Sequence, residues 1–436
     1  MKVCLIALGC PKNIVEGEGI AAQITKAGHV LTTDVKDATA AIVHTCSFIN
    51  DAKAESWGVI NRLVHLRRSG TLSKIIVCGC MAQELKHKLR KSAPEIDIIL
   101  GTGQLHNVAN MLAKDNVFTS CKSPGGLLEP IHGRILSSDL PCAYIRIAEG
   151  CNHKCAFCVI PSLRGPYISR SIASVVREAE ALAGAGITEL NIAAQDTTVF
   201  GRDRSGKLSL VKLLGRLNAI NGLRWIRLMY AYPNTVTDSL LDAICNLPNV
   251  CKYIDIPLQH VSKPLLRRMG RPENARSVID RIVSRAPDIS IRTSFITGFP
   301  GENDQDFSQL CDFVKEGWFE HVGVFEYSDN INARAHCMRP QVHVKTAKIR
   351  RRELMRVQKV VVKRRNGVRL GQEFDVLIER PIEGKHNLWR GRTSFQAPEI
   401  DSIIECKGTI RQAAAGRFVR VRVTSDSGLD LCGDII

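Results

Sequence analysis

Three thiols fall within one short stretch, Gly150-Cys151-Asn152-His153-Lys154-Cys155-Ala156-Phe157-Cys158, at the spacing C-x3-C-x2-C. That is close enough along the chain for all three to meet at one centre. A structural zinc site needs four protein ligands, whereas a cubane iron-sulfur cluster held by three cysteines leaves one iron open to a small molecule. A set one ligand short therefore points to chemistry. Zinc with His153 as fourth ligand, and thiols that merely pack, are the other readings; His153 lies two positions from each flanking cysteine, an awkward offset for a shared tetrahedron.

A second set of three is dispersed. Cys10, Cys46 and Cys80 occur in Leu8-Gly9-Cys10-Pro11-Lys12-Asn13, His44-Thr45-Cys46-Ser47 and Cys78-Gly79-Cys80-Met81. Each follows an apolar run that reads as a strand: Val3 to Leu8, Ala41 to Val43 and Lys74 to Cys78. Helical stretches from Ile14 to Lys26, Asp51 to Arg68 and Gln83 to Lys91 alternate with these runs, and Ile96 to Leu100 reads as a fourth strand. Such alternation predicts an open parallel sheet, whose carboxyl strand ends form a ligand crevice where three remote cysteines can meet. Each stands beside a glycine or small polar residue that lets backbone approach a bulky group. Ordinary buried cysteine is the alternative, and is the expectation for Cys78.

From Cys142 the alternation resumes. Strands are expected at Ala143 to Ala148, Glu189 to Ala193, Trp225 to Met229, Lys252 to Ile256, Ser290 to Ile296 and Val322 to Glu326. Six such units suggest a partial (βα)6 barrel with its site at the carboxyl mouth, and the three-cysteine loop follows the first strand. Gln195, Gln259, Arg292, Ile296 and Gly298 lie on or just after later strands and are candidate cofactor contacts, although turn chemistry explains Gly298-Phe299-Pro300-Gly301 equally well.

Lys345 to Arg365 carries ten basic residues against the single acid Glu353, with Leu354, Val357, Val361 and Val362 at helical spacing. It reads as an amphipathic basic helix suited to RNA or a ribosome. From Gly371 short alternating strands predict a small antiparallel β-barrel, yet this tail has nine Lys or Arg and ten Asp or Glu. A neutral-to-acidic module fits a basic protein partner at least as well as RNA. The expected division is 1–112, a linker at 113–141, a barrel core at 142–335, the basic connection at 336–370 and the tail at 371–436.

Length, 436 residues, allows two or three domains. Sixteen cysteines spread over so long a chain argue against a secreted disulfide framework and for a reducing cytoplasm. The opening Leu8-Gly9-Cys10 resembles a lipoprotein signal, but its apolar run is too short, and no stretch is long and apolar enough to span a bilayer. Net charge of +17 calls for a polyanionic partner.

Cys-x3-Cys-x-Phe-Cys resembles the signature of the radical S-adenosylmethionine (radical SAM) superfamily. With the strand-end cysteines and the terminal barrel, the chain resembles the methylthiotransferase family over nearly its whole length. The resemblance implies a 4Fe-4S cluster on Cys151, Cys155 and Cys158 that cleaves SAM, Phe157 near the adenine, an auxiliary 4Fe-4S cluster on Cys10, Cys46 and Cys80, and a tail of the TRAM type. It further implies that one SAM methylates sulfur at the auxiliary cluster and a second generates the radical that activates an unactivated carbon. Leu8 to Asn13, Glu149 to His153, Gln195-Asp196-Thr197 and Ala397-Pro398-Glu399-Ile400-Asp401 look like the RimO branch. That branch modifies the β-carbon of an aspartate in small-subunit ribosomal protein S-twelve, free or in the subunit, with rRNA contact and an external electron donor and sulfur source. Departures are His44, where the family usually has Asn, and Ser402, where Gly is common. A tRNA adenosine methylthiotransferase and a non-catalytic iron-sulfur RNA-binding protein are the alternatives.

Overall fold

The computed structural model describes residues 1–114, 116–122, 124, 133–409 and 414–436. Of the segment 113–141 expected as a linker, residues 115, 123 and 125–132, including Gly125 and Gly126, lie outside the described residues.

The first sheet comprises β1 (Lys2–Ala7), β2 (Val30–Thr32), β3 (Ala40–Thr45), β4 (Lys74–Gly79), β5 (Ile98–Leu100) and β6 (Phe118–Ser120). All are parallel, in the order β2-β1-β3-β4-β5-β6. Helices cover both faces, so every residue of the central strands β3 and β4 is buried. Cys78, in β4, is fully buried in the core, as its place in the strand predicts.

The second sheet is built from β7 (Cys142–Arg146), then a short ribbon of β8 (Ala148–Glu149) with β9 (Ile168–Ser169), then β10 (Glu189–Ala193), β11 (Trp225–Leu228), β12 (Val250–Asp255), β13 (Ser290–Thr297) and β14 (Phe319–Glu326). Outside the ribbon the strands are parallel in the order β14-β13-β12-β11-β10-β7, with β14 and β7 unjoined, giving an open barrel. Alternation decides which side chains face where. Ile226 and Leu228 join the core beneath the helices, while Trp225 and Met229 point to the concave side.

The tail forms a closed barrel of β15 (Glu373–Pro381), β16 (Leu388–Thr393), β17 (Ile404–Lys407), β18 (Phe418–Asp426) and β19 (Leu431–Ile435). The expected antiparallel pairing holds except at one seam, where β17 and β19 run parallel. The loop after β16 plugs the concave side of the second sheet. Fully buried Arg392 pairs with Glu189 and Glu379, Arg227 joins Glu189, and Asp401 accepts from Arg292 (3.1 Å) and from the Tyr253 hydroxyl (2.7 Å). Ala397 to Asp401 is thus the peg that seats the tail. Ser402, the position of the second departure, holds Gln396 Nε2 at 3.1 Å.

The basic helix runs Val344–Arg369 and lies against β13 and β14. Gly298, just beyond β13, has φ +77° and faces Ala347 of this helix so closely that an added Cβ would overlap it. Gly298→Ala is expected to cost about 1–3 kcal/mol through overpacking plus left-handed strain, seen as a lower midpoint in urea.

Candidate functional site

Why the cysteines come together follows from the two sheets. Cys10 caps the helix Pro11–Lys26 immediately after β1, Cys46 follows β3, and Cys80 opens the helix Cys80–Ser92 directly after β4. Three neighbouring strands therefore end in three thiols. Gly9, at φ +98°, leaves room beside Cys46 that a Cβ would fill, with Cys46 Sγ 2.9 Å from that point. Burial raises the Cys80 thiol to about 12 and lifts Cys46 as well; the neighbouring thiols add to the rise and Arg164 opposes it. Among Cys151, Cys155 and Cys158, burial raises Cys151 to about 11 and Cys158 to about 12, again with mutual repulsion among the thiols. Such thiols are neutral until a metal replaces their protons.

Among the described residues, no three His, Cys, Asp or Glu side chains are grouped tightly enough to hold a single metal ion. Each triplet is an all-sulfur donor set one ligand short of a closed zinc tetrahedron, which is the donor chemistry of a three-cysteine iron-sulfur site. His153 has other employment: its Nε2 lies 2.6 Å from Asp196 Oδ2 and its ring stacks on Tyr232 at 3.6 Å. Arg271 lies over the other partner of that stack, Tyr232, with Nη1 3.8 Å from Cys155 Sγ.

Between the triplets lies a buried ionic network that the cysteine spacing did not announce. Arg164 ends the short helix Ile160–Arg164 that follows Cys158. Its Nε donates to Cys80 Sγ at 3.2 Å, its Nη2 to Asn13 Oδ1 at 2.7 Å, and its Nη1 to Glu16 Oε1 at 2.5 Å. Glu16 also accepts from Arg146, which bridges on to Glu149. Burial would raise the Glu16 carboxyl, but Arg164 and Arg146 hold it well below the usual carboxylate range. His44 Nε2 sits 3.1 Å from Glu16 Oε2 and helps to hold that carboxyl down. One residue of the helix after the Cys151–Cys158 loop thus grips the Cys80 thiol and Asn13, three residues beyond Cys10.

The candidate cofactor contacts are placed as follows. Gln195 donates to Glu149 Oε1 at 2.8 Å and leaves its buried Oε1 without a partner. Gln259 has φ +71° and is bridged to Phe295, and Ile296 donates its amide to the Gln259 carbonyl at 2.9 Å. Phe157 meets Phe299 edge to face at 6.5 Å. Arg292 is held between Asp255 (2.9 Å) and Asp401 (3.1 Å), and Gly298 donates its amide to Glu302. All of these lie on or just beyond the strands at the barrel's mouth, except that Arg292 sits at the strand's third residue, deeper among the groups contacting the peg.

Comparison with known proteins matches three stretches of the chain. Residues 2–101 match the uncharacterized protein family UPF0004, residues 145–314 the radical SAM superfamily and residues 370–436 the TRAM domain. The ribosomal protein uS12 methylthiotransferase RimO of Geobacter sulfurreducens is 41% identical over 442 aligned positions, covering 100% of this chain and 98% of that one. The chain belongs to the RimO methylthiotransferase family. RimO proteins of Endomicrobium trichonymphae (40% identical; 98% of this chain, 97% of that one) and Sorangium cellulosum (38%; 100% and 91%) align as fully. Among solved structures, the radical SAM methyltransferase TsrM from Kitasatospora setae shares the fold at 14% identity, with a TM-score of 0.55 over 77% of this chain and 74% of that one.

For this RimO family member the radical SAM superfamily brings a 4Fe-4S cluster and SAM. Residues to which the sequence alone gives no role are Lys12, Asn13, Glu16, Arg146, Glu149 and Tyr230; Arg164, which the sequence leaves as either a contact for an anionic substrate or a solvated side chain, is buried against Glu16, Asn13 and Cys80. Glu16 lies on the buried face of the helix Pro11–Lys26, among Val15, Ile20 and Ile24, so it needs partners that only the tertiary fold supplies, here Arg146 and Arg164. Among the described residues no helix is long and apolar enough to cross a membrane.

Proposed function

We propose that this protein attaches a methylthio group to the β-carbon of an aspartate in ribosomal protein uS12, using two 4Fe-4S clusters. Cys151, Cys155 and Cys158 would hold the cluster that binds and cleaves SAM, and Cys10, Cys46 and Cys80 the auxiliary cluster from which the sulfur is delivered. When bound, these groups supply reductive SAM cleavage and sulfur transfer. The observation that carries the reading is full-length kinship to RimO proteins combined with two three-thiol sets joined through Arg164. The residues of the chain do the positioning: Gln195 and Glu149 border the second cysteine loop, Phe157 offers an aromatic edge for an adenine, and the ionic network keeps the two sulfur sites in fixed register.

The basic helix supports an rRNA contact close to the substrate. Arg350, Arg351, Arg356 and Arg365 are ion-paired within the chain, whereas Lys345, Lys348, Arg352, Lys359, Lys363 and Arg364 are exposed and make no ion pair among the described residues. Action on a ribosomal protein places the enzyme in the cytoplasm, with an electron donor and a sulfur source supplied from outside the chain.

The experiment is anaerobic reconstitution with iron and sulfide, then incubation with SAM, reductant and either uS12 or undermodified tRNA. A gain of about 46 mass units on uS12 is expected. The same gain on tRNA alone would move the activity to the nucleic acid, and neither gain nor SAM cleavage with clusters in place would leave a binding protein.

A further inference from the structure

We propose that Lys12 recognises the carboxylate of the substrate aspartate and so selects the residue to be modified; this rests on the reading of the protein as an aspartate methylthiotransferase. Lys12 stands two residues beyond Cys10 and is only 9% exposed. Its Nζ lies 3.9 Å from the centre of the Tyr230 ring, and among the described residues no carboxylate makes an ion pair with it. A buried ammonium set against an aromatic ring, with Cys10 and Glu149 nearby but no ion-paired carboxylate among the described residues, is costly until an anion joins it.

The other buried cations around the thiols already have partners. Arg146 is held by Glu16 and Glu149, Arg164 by Glu16, Asn13 and Cys80, and Arg292 by Asp255 and Asp401. Arg271 donates to the Pro257 carbonyl on the side of Cys155. Lys12 is thus the cation on the Cys10 side with capacity for an incoming anion.

Tyr230 is built to hold it there. Its φ of +58° is unusual for a tyrosine, and the backbone is clamped on both sides. The Tyr230 amide donates to Asp255 Oδ2 at 3.0 Å, and its carbonyl accepts from the Thr197 amide at 3.1 Å. Strain is tolerated where it fixes the ring against Nζ. The chemistry agrees in placement: the β-carbon of aspartate is bonded directly to the carboxylate carbon, so a group that reads the carboxylate must stand beside the thiols that would hold the sulfur-delivering cluster. An ammonium on a four-carbon stem serves as a point charge for such an acid.

The test is a competition in one vessel. Reconstituted holoprotein is given equal amounts of uS12 and uS12 with its target aspartate changed to asparagine, and both products are weighed. The ratio does not depend on how much enzyme carries its clusters. Wild type is expected to favour aspartate by about 100-fold, Lys12→Arg to retain most of that preference, and Lys12→Gln to fall to within about threefold of parity. A Lys12→Gln protein that keeps the wild-type ratio would overturn the proposal and leave Lys12 as a counter-charge to the thiolates. So would a wild type indifferent to the two proteins. If Lys12→Gln does not turn over, its affinities for the two proteins are compared by calorimetry: equal affinities support the proposal and a retained preference for aspartate defeats it. Absence of any wild-type product on uS12 is a different result, which removes the parent reading.

Discussion

Cys10→Ala is expected to leave SAM cleavage largely in place while lowering methylthio transfer by at least about 1,000-fold, and Cys155→Ala to abolish both. The asymmetry comes from topology. Cys10 belongs to the strand ends of the first sheet, whereas Cys155 lies in the loop after the first strand of the barrel, and each triplet is supported by its own strands. Losing a ligand in one therefore does not unmake the other. Iron per chain should fall from about eight to about four in either variant. The readouts are 5'-deoxyadenosine by chromatography, the mass gain on uS12 and iron by absorption. Loss of SAM cleavage in Cys10→Ala with four irons still bound would mean that the two sites are not separable and that the assignment of roles is wrong.

Arg164→Leu should damage both sites and the fold together. The guanidinium is 3% exposed and serves Glu16, Asn13 and the Cys80 sulfur. Glu149 Oε2 lies 3.4 Å away. Removing it leaves Glu16 and Glu149 to share Arg146 in a medium where an uncompensated carboxylate is expensive, at a cost of about 3–5 kcal/mol. It also removes a charged hydrogen bond to Cys80 Sγ, which is expected to shift the reduction potential of any cluster held by Cys10, Cys46 and Cys80 to a more negative value. Urea unfolding of the iron-free protein measures the first effect and a redox titration of the reconstituted protein the second. Arg267→Leu, which breaks an exposed pair with Glu273, is the control and should change neither. A stable Arg164→Leu protein with an unshifted potential would show that the network is incidental.

The contrast between cysteines and charges explains what could be read from the chain alone. Cys-x3-Cys-x2-Cys is local, so spacing carries it. Cys10, Cys46 and Cys80 were legible because apolar runs such as Lys74 to Cys78 and Ala41 to Val43 mark parallel strands, and the carboxyl ends of adjacent parallel strands are neighbours in space. Short edge strands gave no such signal: Val30–Thr32 and Phe118–Ser120 have three residues each, too few to show a period. Leu388–Thr393 was hidden for another reason. Its two arginines look solvated in sequence, yet Arg392 is fully buried against Glu189, two hundred residues away. Arg164 had the same disguise, since partners at Glu16 and Cys80 exist only after folding. Arg292, singled out as a cofactor contact, shows the converse: its two acidic partners account for its position at the peg.

The peg at Ala397 to Asp401 and its neighbour Arg392 also bear on how such a protein can change over evolutionary time. Because Glu189, Arg227, Tyr253 and Arg292 of the central sheet take Arg392, the Ser394 carbonyl and Asp401 of the terminal unit as partners, neither surface is self-sufficient. A tail borrowed from another lineage would strand buried charges on its host unless the matching strand residues travelled with it. The terminal barrel is therefore not a portable module, and changes in what it recognises must arise on its outer face while the seam stays constant.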